Sequence, residues 1–392
     1  MRRDISSNIL KLNVIIALRW FMLIMPVIVL FYAENGLSMR EVFILEVIFS
    51  ITIVLFEVPS GYFADVFGRR LSIIIGCVGW FLGWLIYSFS YNFSTFLFGE
   101  LILGIGYSFI SGADSALMYD TLVQVKKEKE YKKIEGRLLA IENFSEGIAS
   151  IVGGFLAIIS LRTPLYFQTV IAFFCIATAI TLIEPKRYIN KSFRLDFKSI
   201  KKIVKYSLHE QTEIKWLIIY SALVSASTLT MLWLTQPYLK EVGLQLSLFG
   251  IVWALFQFSV GIFSIYAYKF VSIFGRKKTL ISLILLSSLG YIMLSFFRNL
   301  WTISFIFLFY FVRGVNEPIS KDYVNRLVPS NIRATILSVK NSVAKLMFSI
   351  IGPIVGWVSD MYSLKVALIF SGMIFLFLGS ISLLFLHKHK AL

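Results

Sequence analysis

Charge is scarce in this 392-residue chain: only 15% of residues are Asp, Glu, Lys or Arg, where a soluble domain carries roughly a quarter. Mean hydropathy is +0.80, which excludes an ordinary soluble fold. The two cysteines, Cys77 and Cys175, lie inside apolar segments, so neither a disulfide framework nor a CxxC zinc site is available. Histidine is nearly as rare: His209 falls in a basic stretch, and His387 and His389 in the tail HKHK. No metal or other cofactor is implied. A GxxxxGK[ST] phosphate loop is missing and no run is polar enough for a nucleotide-binding domain, which excludes an ATP-driven pump at the level of this chain. Nor is there a catalytic constellation to suggest an enzyme.

What the chain has in abundance is uncharged apolar runs of about 20 residues, each long enough to cross a bilayer core as a helix. Breaks at charged residues, Gly, Pro and Asn give twelve spans, at about 10–32, 42–64, 71–90, 93–118, 138–159, 164–183, 215–238, 246–268, 279–297, 300–317, 334–358 and 362–386. The first run is too long for a signal-peptide h-region and has no small-residue cleavage site, so it reads as a retained span. The expected fold class is therefore an all-α polytopic membrane protein.

Basic residues orient these spans. With the N-terminus inside, 31 of the 38 lysines and arginines fall on inner segments, and positively charged loops are retained in the cytoplasm. Only Arg40, Arg162, Lys240, Arg298 and Lys365 fall outside, while Arg19 and Lys345 lie within spans. Both termini are expected to be cytoplasmic. The net charge of +16 is explained by this asymmetry and by lipid, without nucleic acid.

The longest connection follows span six and divides the chain into 1–184, a linker at 185–214, and 215–392. Within the linker, Phe197, Ile200, Ile203, Val204 and Leu208 recur at helical spacing opposite Lys198, Lys201, Lys202 and Lys205. Either a basic amphipathic helix on the inner leaflet or a solvated linker helix fits. The halves also echo each other. FGRR at 67–70 matches FGRK at 274–277, and Glu142-Asn143 with Gly154 matches Lys340-Asn341 with Gly352 at the same interval.

Twelve spans, a central basic loop and a charged GxxxDxxGRR after span two resemble the major facilitator superfamily over the whole length. The motif is read as Gly61, Asp65, Gly68, Arg69 and Arg70. EVPSGYFAD and SGADSALMYDTL are similar to a bacterial, mostly export-type branch. The resemblance implies two six-helix bundles working as a monomer, with spans one, four, seven and ten lining a central cavity. It also implies that the loop after span two docks on the start of span eleven, at Asn331-Ile332-Arg333, making Arg333 or adjoining amides the candidate partners of Asp65. On physical grounds the glycines suit a tight turn with close backbone approach, and the arginines suit the headgroup level. Asp65 capping only its own turn is the alternative. Two departures stand out: Glu100 occupies the arginine position of the superfamily's RxxxGxG, and VGGF in span five lacks the GP of its antiporter motif.

Intramembrane charges are the candidate functional residues, because burying an ionised group in a bilayer is costly. On span four, Glu100, Gly104, Tyr107, Ser111, Asp114 and Met118 share one helical face. On span five, Glu142 and Glu146 stand one turn apart, where two carboxylates in low dielectric tend to share a proton. Asp114, Glu142 and Glu146 are accordingly the proton-coupling candidates. Arg19, Glu100, Tyr107, Ser111, Arg313, Asn316 and Lys345 are the substrate-cavity candidates. Alternatives stay open: Arg19 can snorkel, Glu142 can pair with Arg137, Arg313 can satisfy Glu317 along one helix face, and Lys345, read as deeper than Lys340, can pair with a span-five glutamate. The expected function is secondary transport of a small amphiphilic molecule coupled to protons, with sodium not excluded, most simply as export. Nutrient uptake by symport, or an uncoupled facilitator or sensor, are the competing readings.

Overall fold

A computed structural model describes residues 5–185, 204–328 and 332–388. Among these residues the chain is helical, with no strand. In chain order the helices are α1 (Ser7–Trp20), α2 (Ile28–Glu34), α3 (Met39–Phe67), α4 (Arg69–Ser88), α5 (Phe93–Ile110), α6 (Ala113–Gln124), α7 (Tyr131–Ile159) and α8 (Thr163–Ile180). After the linker come α9 (Thr212–Glu241), α10 (Leu246–Phe296), α11 (Ile306–Leu327), α12 (Arg333–Met361) and α13 (Leu364–Lys388). Most of the linker, with Phe197, Ile200 and Ile203, lies outside the described residues, as do Asn331 and His389.

Among the described residues, nine helices are long and apolar enough to cross a membrane, counting α5 and α6 together. One of them, α10, contains two spans broken at Gly275 (φ 76°). Two of the twelve expected spans fail the test for separate physical reasons. Span one is split into α1 and α2. Span ten, α11, carries Arg313, Glu317, Lys321, Asp322 and Arg326. Many large apolar side chains face outward, Ile159, Ile265 and Tyr268 among them, as they should when lipid rather than water is the solvent.

Contacts divide the chain into two compact units. Among the described residues, the first comprises 5–37, 45–185 and 245–255. Its core gathers Leu12 and Ile15 of α1, Ile73 and Cys77 of α4, Ile110 of α5, Leu117 and Leu122 of α6, and Cys175 of α8. Both cysteines are buried thiols. Among the described residues, the second unit comprises 38–44, 204–244, 256–328 and 332–388. Here α9 is the central element, with 83% of its apolar window buried; Leu217, Ile218 and Tyr220 pack on Leu280, Val312, Val315, Ile336 and Leu386.

The repeat seen in sequence has a backbone counterpart. Gly68, between α3 and α4, has φ 124°, and Gly275 has φ 76°. Each glycine breaks the helix for a single residue in a conformation that L side chains resist. Gly61, by contrast, lies within α3, and among the described residues nothing stands inside 4 Å of a Cβ there. Arg69 and Arg70 also do more than sit at a headgroup level. Their backbone amides donate to Glu184 at 3.0 and 2.7 Å, which caps the start of α4. The Arg69 side chain pairs with Asp120 of α6 and donates to the Ala116 carbonyl at 2.6 Å; Arg70 donates to the Ile180 carbonyl at 2.8 Å.

Candidate functional site

Two interruptions inside the first unit create the site. Span one stops being helical after Trp20 and resumes at Ile28. Pro26 lies in this gap; it has no N–H to give and disfavours helical backbone at the residue before it. The exposed backbone is satisfied from elsewhere: Leu23 N–H donates to Gln168 Oε1 of α8 at 2.7 Å. Gly153 of α7 makes room, since a Cβ there would stand 1.8 Å from the Leu23 carbonyl oxygen. The second interruption is at Ser111-Gly112 in span four. Ser111 (φ −59°, ψ 130°) and Gly112 (φ 82°, ψ −39°) form a turn of type II character, which requires glycine at its second position. Irregular backbone at membrane depth is tolerated only where protein covers it or a cavity is lined by it.

These breaks place helix ends in mid-span, and at each break a charged residue occupies one of the two ends. Arg19 is in the last turn of α1 and Asp114 in the first turn of α6, so each opposes the partial charge of its own helix end. They meet with Arg19 Nη1 3.6 Å from Asp114 Oδ2. Both are buried, Arg19 at 6% exposure and Asp114 at 8%. The separation allows attraction without a hydrogen bond, and Arg19 Nε and Nη1 have no hydrogen-bond partner among the described residues. The guanidinium lies 5.1 Å from the centre of the Tyr107 ring, which Phe49 steadies edge-on at 6.0 Å. Glu142 of α7 also acts on Arg19 electrostatically.

The structure therefore brings together Arg19, Tyr107, Ser111, Asp114 and Glu142, and it separates other expected members. The polar face of span four does not run unbroken. Glu100 belongs to a different cluster, about 20 Å along the span from Asp114. It is 4% exposed and accepts hydrogen bonds from the hydroxyls of Tyr87 and, at 3.4 Å, Tyr32; the two hydroxyls are 2.8 Å apart. Glu46 of α3 acts on both Glu100 and Tyr32 electrostatically. Glu146, one turn beyond Glu142, is buried and accepts from Trp253 Nε1 at 3.4 Å.

In the second unit, Lys340 rather than Lys345 is the deeply buried cation, at 3% exposure. Glu317 accepts from Lys340 Nζ through both carboxylate oxygens at 3.1 and 3.0 Å, so it is paired between α11 and α12, whereas Arg313–Glu317 pairing along one helix face was the alternative left open by the sequence. Ser320 Oγ accepts from the same ammonium at 3.1 Å. Arg313 lines a small cleft with Thr228, Leu232, Phe309 and Tyr310. Asn316 is buried and donates to Ser225 Oγ at 3.2 Å, tying α11 to α9. Arg333 donates to the carbonyl oxygens of Asn325 and Val328 at 2.9 and 3.3 Å.

Comparison with known proteins agrees with this architecture. A sequence profile described as Major Facilitator Superfamily matches residues 12–344 and 216–391. The Quinolone resistance protein NorA of Staphylococcus aureus (strain COL) is 23% identical over 353 residues, covering 88% of each chain. YxaM, an uncharacterized MFS-type transporter of Bacillus subtilis (strain 168), is 22% identical over 352 residues, covering 87% of this chain and 86% of its own. Among solved structures, the nucleoside transporter NupG superposes with TM-score 0.76 at 14% identity over 98% of both chains. A D-xylose-proton symporter superposes with TM-score 0.72 at 15% identity over 97% of this chain and 96% of its own; at such identities these likenesses concern the fold. This multi-pass membrane protein belongs to the Major Facilitator Superfamily, a family of transporters and not of enzymes.

Proposed function

We propose that the protein is a secondary active transporter that exports a small amphiphilic molecule across the bacterial cytoplasmic membrane in exchange for protons, by alternating access of its two halves. The observation that carries this reading is the Arg19–Asp114 pair at the ends of two interrupted half-helices, with Glu142 beside it. Half-helix ends near mid-membrane are where many secondary transporters place substrate and coupling ions. A cation and two carboxylates in one buried place let protonation change which groups pair. Similarity to a quinolone resistance protein, NorA, favours removal of a small molecule from the cell.

In this reading Asp114, Glu142 and Glu146 carry the coupling proton. Arg19, Glu100, Tyr107 and Ser111 of the first unit, and Arg313, Asn316 and Lys345 of the second, are the substrate-contacting residues. Gly61, Asp65, Gly68, Arg69, Arg70 and Arg333 work as the inner latch. The protein works as a monomer with both termini cytoplasmic.

Purified protein in proteoliposomes tests the reading. An imposed pH gradient should drive an amphiphilic dye against its concentration gradient, in the sense opposite to proton flow. Movement with the protons would replace export by symport, and movement indifferent to the gradient would leave only a facilitator. Glu142→Gln and Glu146→Gln should abolish the gradient-driven component while leaving dye exchange; normal coupling in both variants would reject the coupling assignment.

A further inference from the structure

Charge accounting around Arg19 points to the kind of molecule that fits. Arg19 is more than nine-tenths buried, yet its Nε and Nη1 have no hydrogen-bond partner among the described residues. A buried donor left unmade costs on the order of 1–3 kcal/mol, more when charged, so this edge of the guanidinium calls for an acceptor. Asp114 answers only in part, attracting from 3.6 Å without a hydrogen bond; its other oxygen accepts from Ser115 N–H at 2.6 Å. Glu142 is a second carboxylate within electrostatic reach of Arg19, beside the Trp20 side chain and Asp114. The site thus has an unfilled donor edge and one more negative than positive charge.

A purely cationic ligand would compensate Glu142 and leave the Arg19 edge unfilled. A purely anionic one would fill that edge and add negative charge where two carboxylates already face one cation. A ligand bearing both signs satisfies both needs, and its apolar body can lie against Tyr107, whose ring already faces the guanidinium at 5.1 Å.

We propose that this site binds zwitterionic amphiphiles, the ligand's carboxylate taking the open Nε–Nη1 edge of Arg19 and its ammonium taking Glu142. The assignment rests on the transport reading above and narrows its substrate class. It also supplies a reason for exchange: an ammonium on Glu142 and a proton on Glu142 exclude each other.

The test is a series with one aromatic body and four charge states, measured on the full-length protein in lipid nanodiscs. The probes are 3-(1-naphthyl)alanine (zwitterion), its methyl ester (cation), its N-acetyl derivative (anion) and the N-acetyl methyl ester (neutral), with binding read from naphthyl fluorescence polarisation. The zwitterion should bind about 10-fold or more tightly than either singly charged probe, the factor expected for one additional charge-assisted contact. Arg19→Gln should bring zwitterion affinity down to that of the cation, and Glu142→Gln should bring it down to that of the anion. Arg19→Lys, which keeps the charge but lacks the fork, should lose part of the preference. Each variant is accepted as folded on a monodisperse elution profile; if Arg19→Gln fails this, Arg19→Lys and Glu142→Gln carry the comparison. Equal binding of zwitterion and cation, no zwitterion binding up to millimolar concentration, or an unchanged ratio in the folded variants would overturn the proposal. Gradient-driven flux of any probe in proteoliposomes is scored separately. Flux without zwitterion preference sinks the substrate class and spares the transport reading; preference without flux does the reverse.

Discussion

Arg19 and Asp114 face each other across two broken spans at 3.6 Å, an ion pair made by helix ends and not by helix faces. Removing one member leaves the other charge buried. Arg19→Leu, which strands Asp114 beside Glu142, should cost about 3–5 kcal/mol, and the Arg19→Leu/Asp114→Leu double variant should be more stable than Arg19→Leu alone. Thermal unfolding in detergent, run as a double-mutant cycle, checks this. Simple additivity would mean that the two residues do not act as a pair.

Glycines at the site should split sharply in tolerance. Gly112→Ala forces a side chain onto φ 82° and should cost about 1–2 kcal/mol. Gly153→Ala puts a methyl 1.8 Å from a backbone oxygen and should cost at least about 3 kcal/mol, beyond ordinary overpacking. Gly61→Ala, in a helix with open space around it, should be neutral or stabilise by up to about 1 kcal/mol. Unfolding midpoints of the three variants rank them directly.

Within the second unit, Asp360 at the end of α12 accepts from the amides of Met39 and Arg40 at 2.8 Å each, capping the first turn of α3. Asp360→Ala should cost about 0.5–2 kcal/mol, and amide exchange at residues 39–43 should accelerate while the middle of α3 stays protected. Unchanged exchange there would show that the cap contributes nothing.

Lys340 depends on Glu317 for its charge balance. Glu317→Gln leaves a 3%-exposed lysine with Ser320 as a neutral acceptor. Because the Glu317 side chain is 59% exposed, water screens the pair and the loss should be about 1–2 kcal/mol. Lys340→Met in the Glu317→Gln background should recover part of it, which chemical unfolding of the two variants would report.

How far the sequence carried is clear from individual residues. Long apolar runs and basic asymmetry were enough for twelve spans, because a bilayer permits few solutions. The repeated FGR pointed to Gly68 and Gly275, whose φ angles agree in sign. Pro26 was visible as a helix breaker, but a span read by hydropathy alone passes over it. Ser111-Gly112 gave no such signal, since small residues are as common inside spans as at their breaks. Asp120 and Glu184 escaped because their partners, Arg69 and Arg70, are 51 and more than 100 residues away. Glu46 was detectable by the same rule that flagged Glu100, as a carboxylate within an apolar run. Lys345 reads as the deeper of the two along its span while Lys340 is the more buried side chain, because depth along a span says nothing about which face of the helix is covered.

Glu184 gives the connection between the halves a fixed mooring. Its carboxylate holds the amides of both Arg69 and Arg70, so tension arriving along the chain from residue 185 onward is borne at the head of α4 before it can reach α8. A gene split after residue 190 therefore keeps that mooring on the first fragment. One split before residue 184 strips it away and leaves the start of α4 uncapped, so co-expressed halves should reassemble in the first case and lose the Arg69 region in the second.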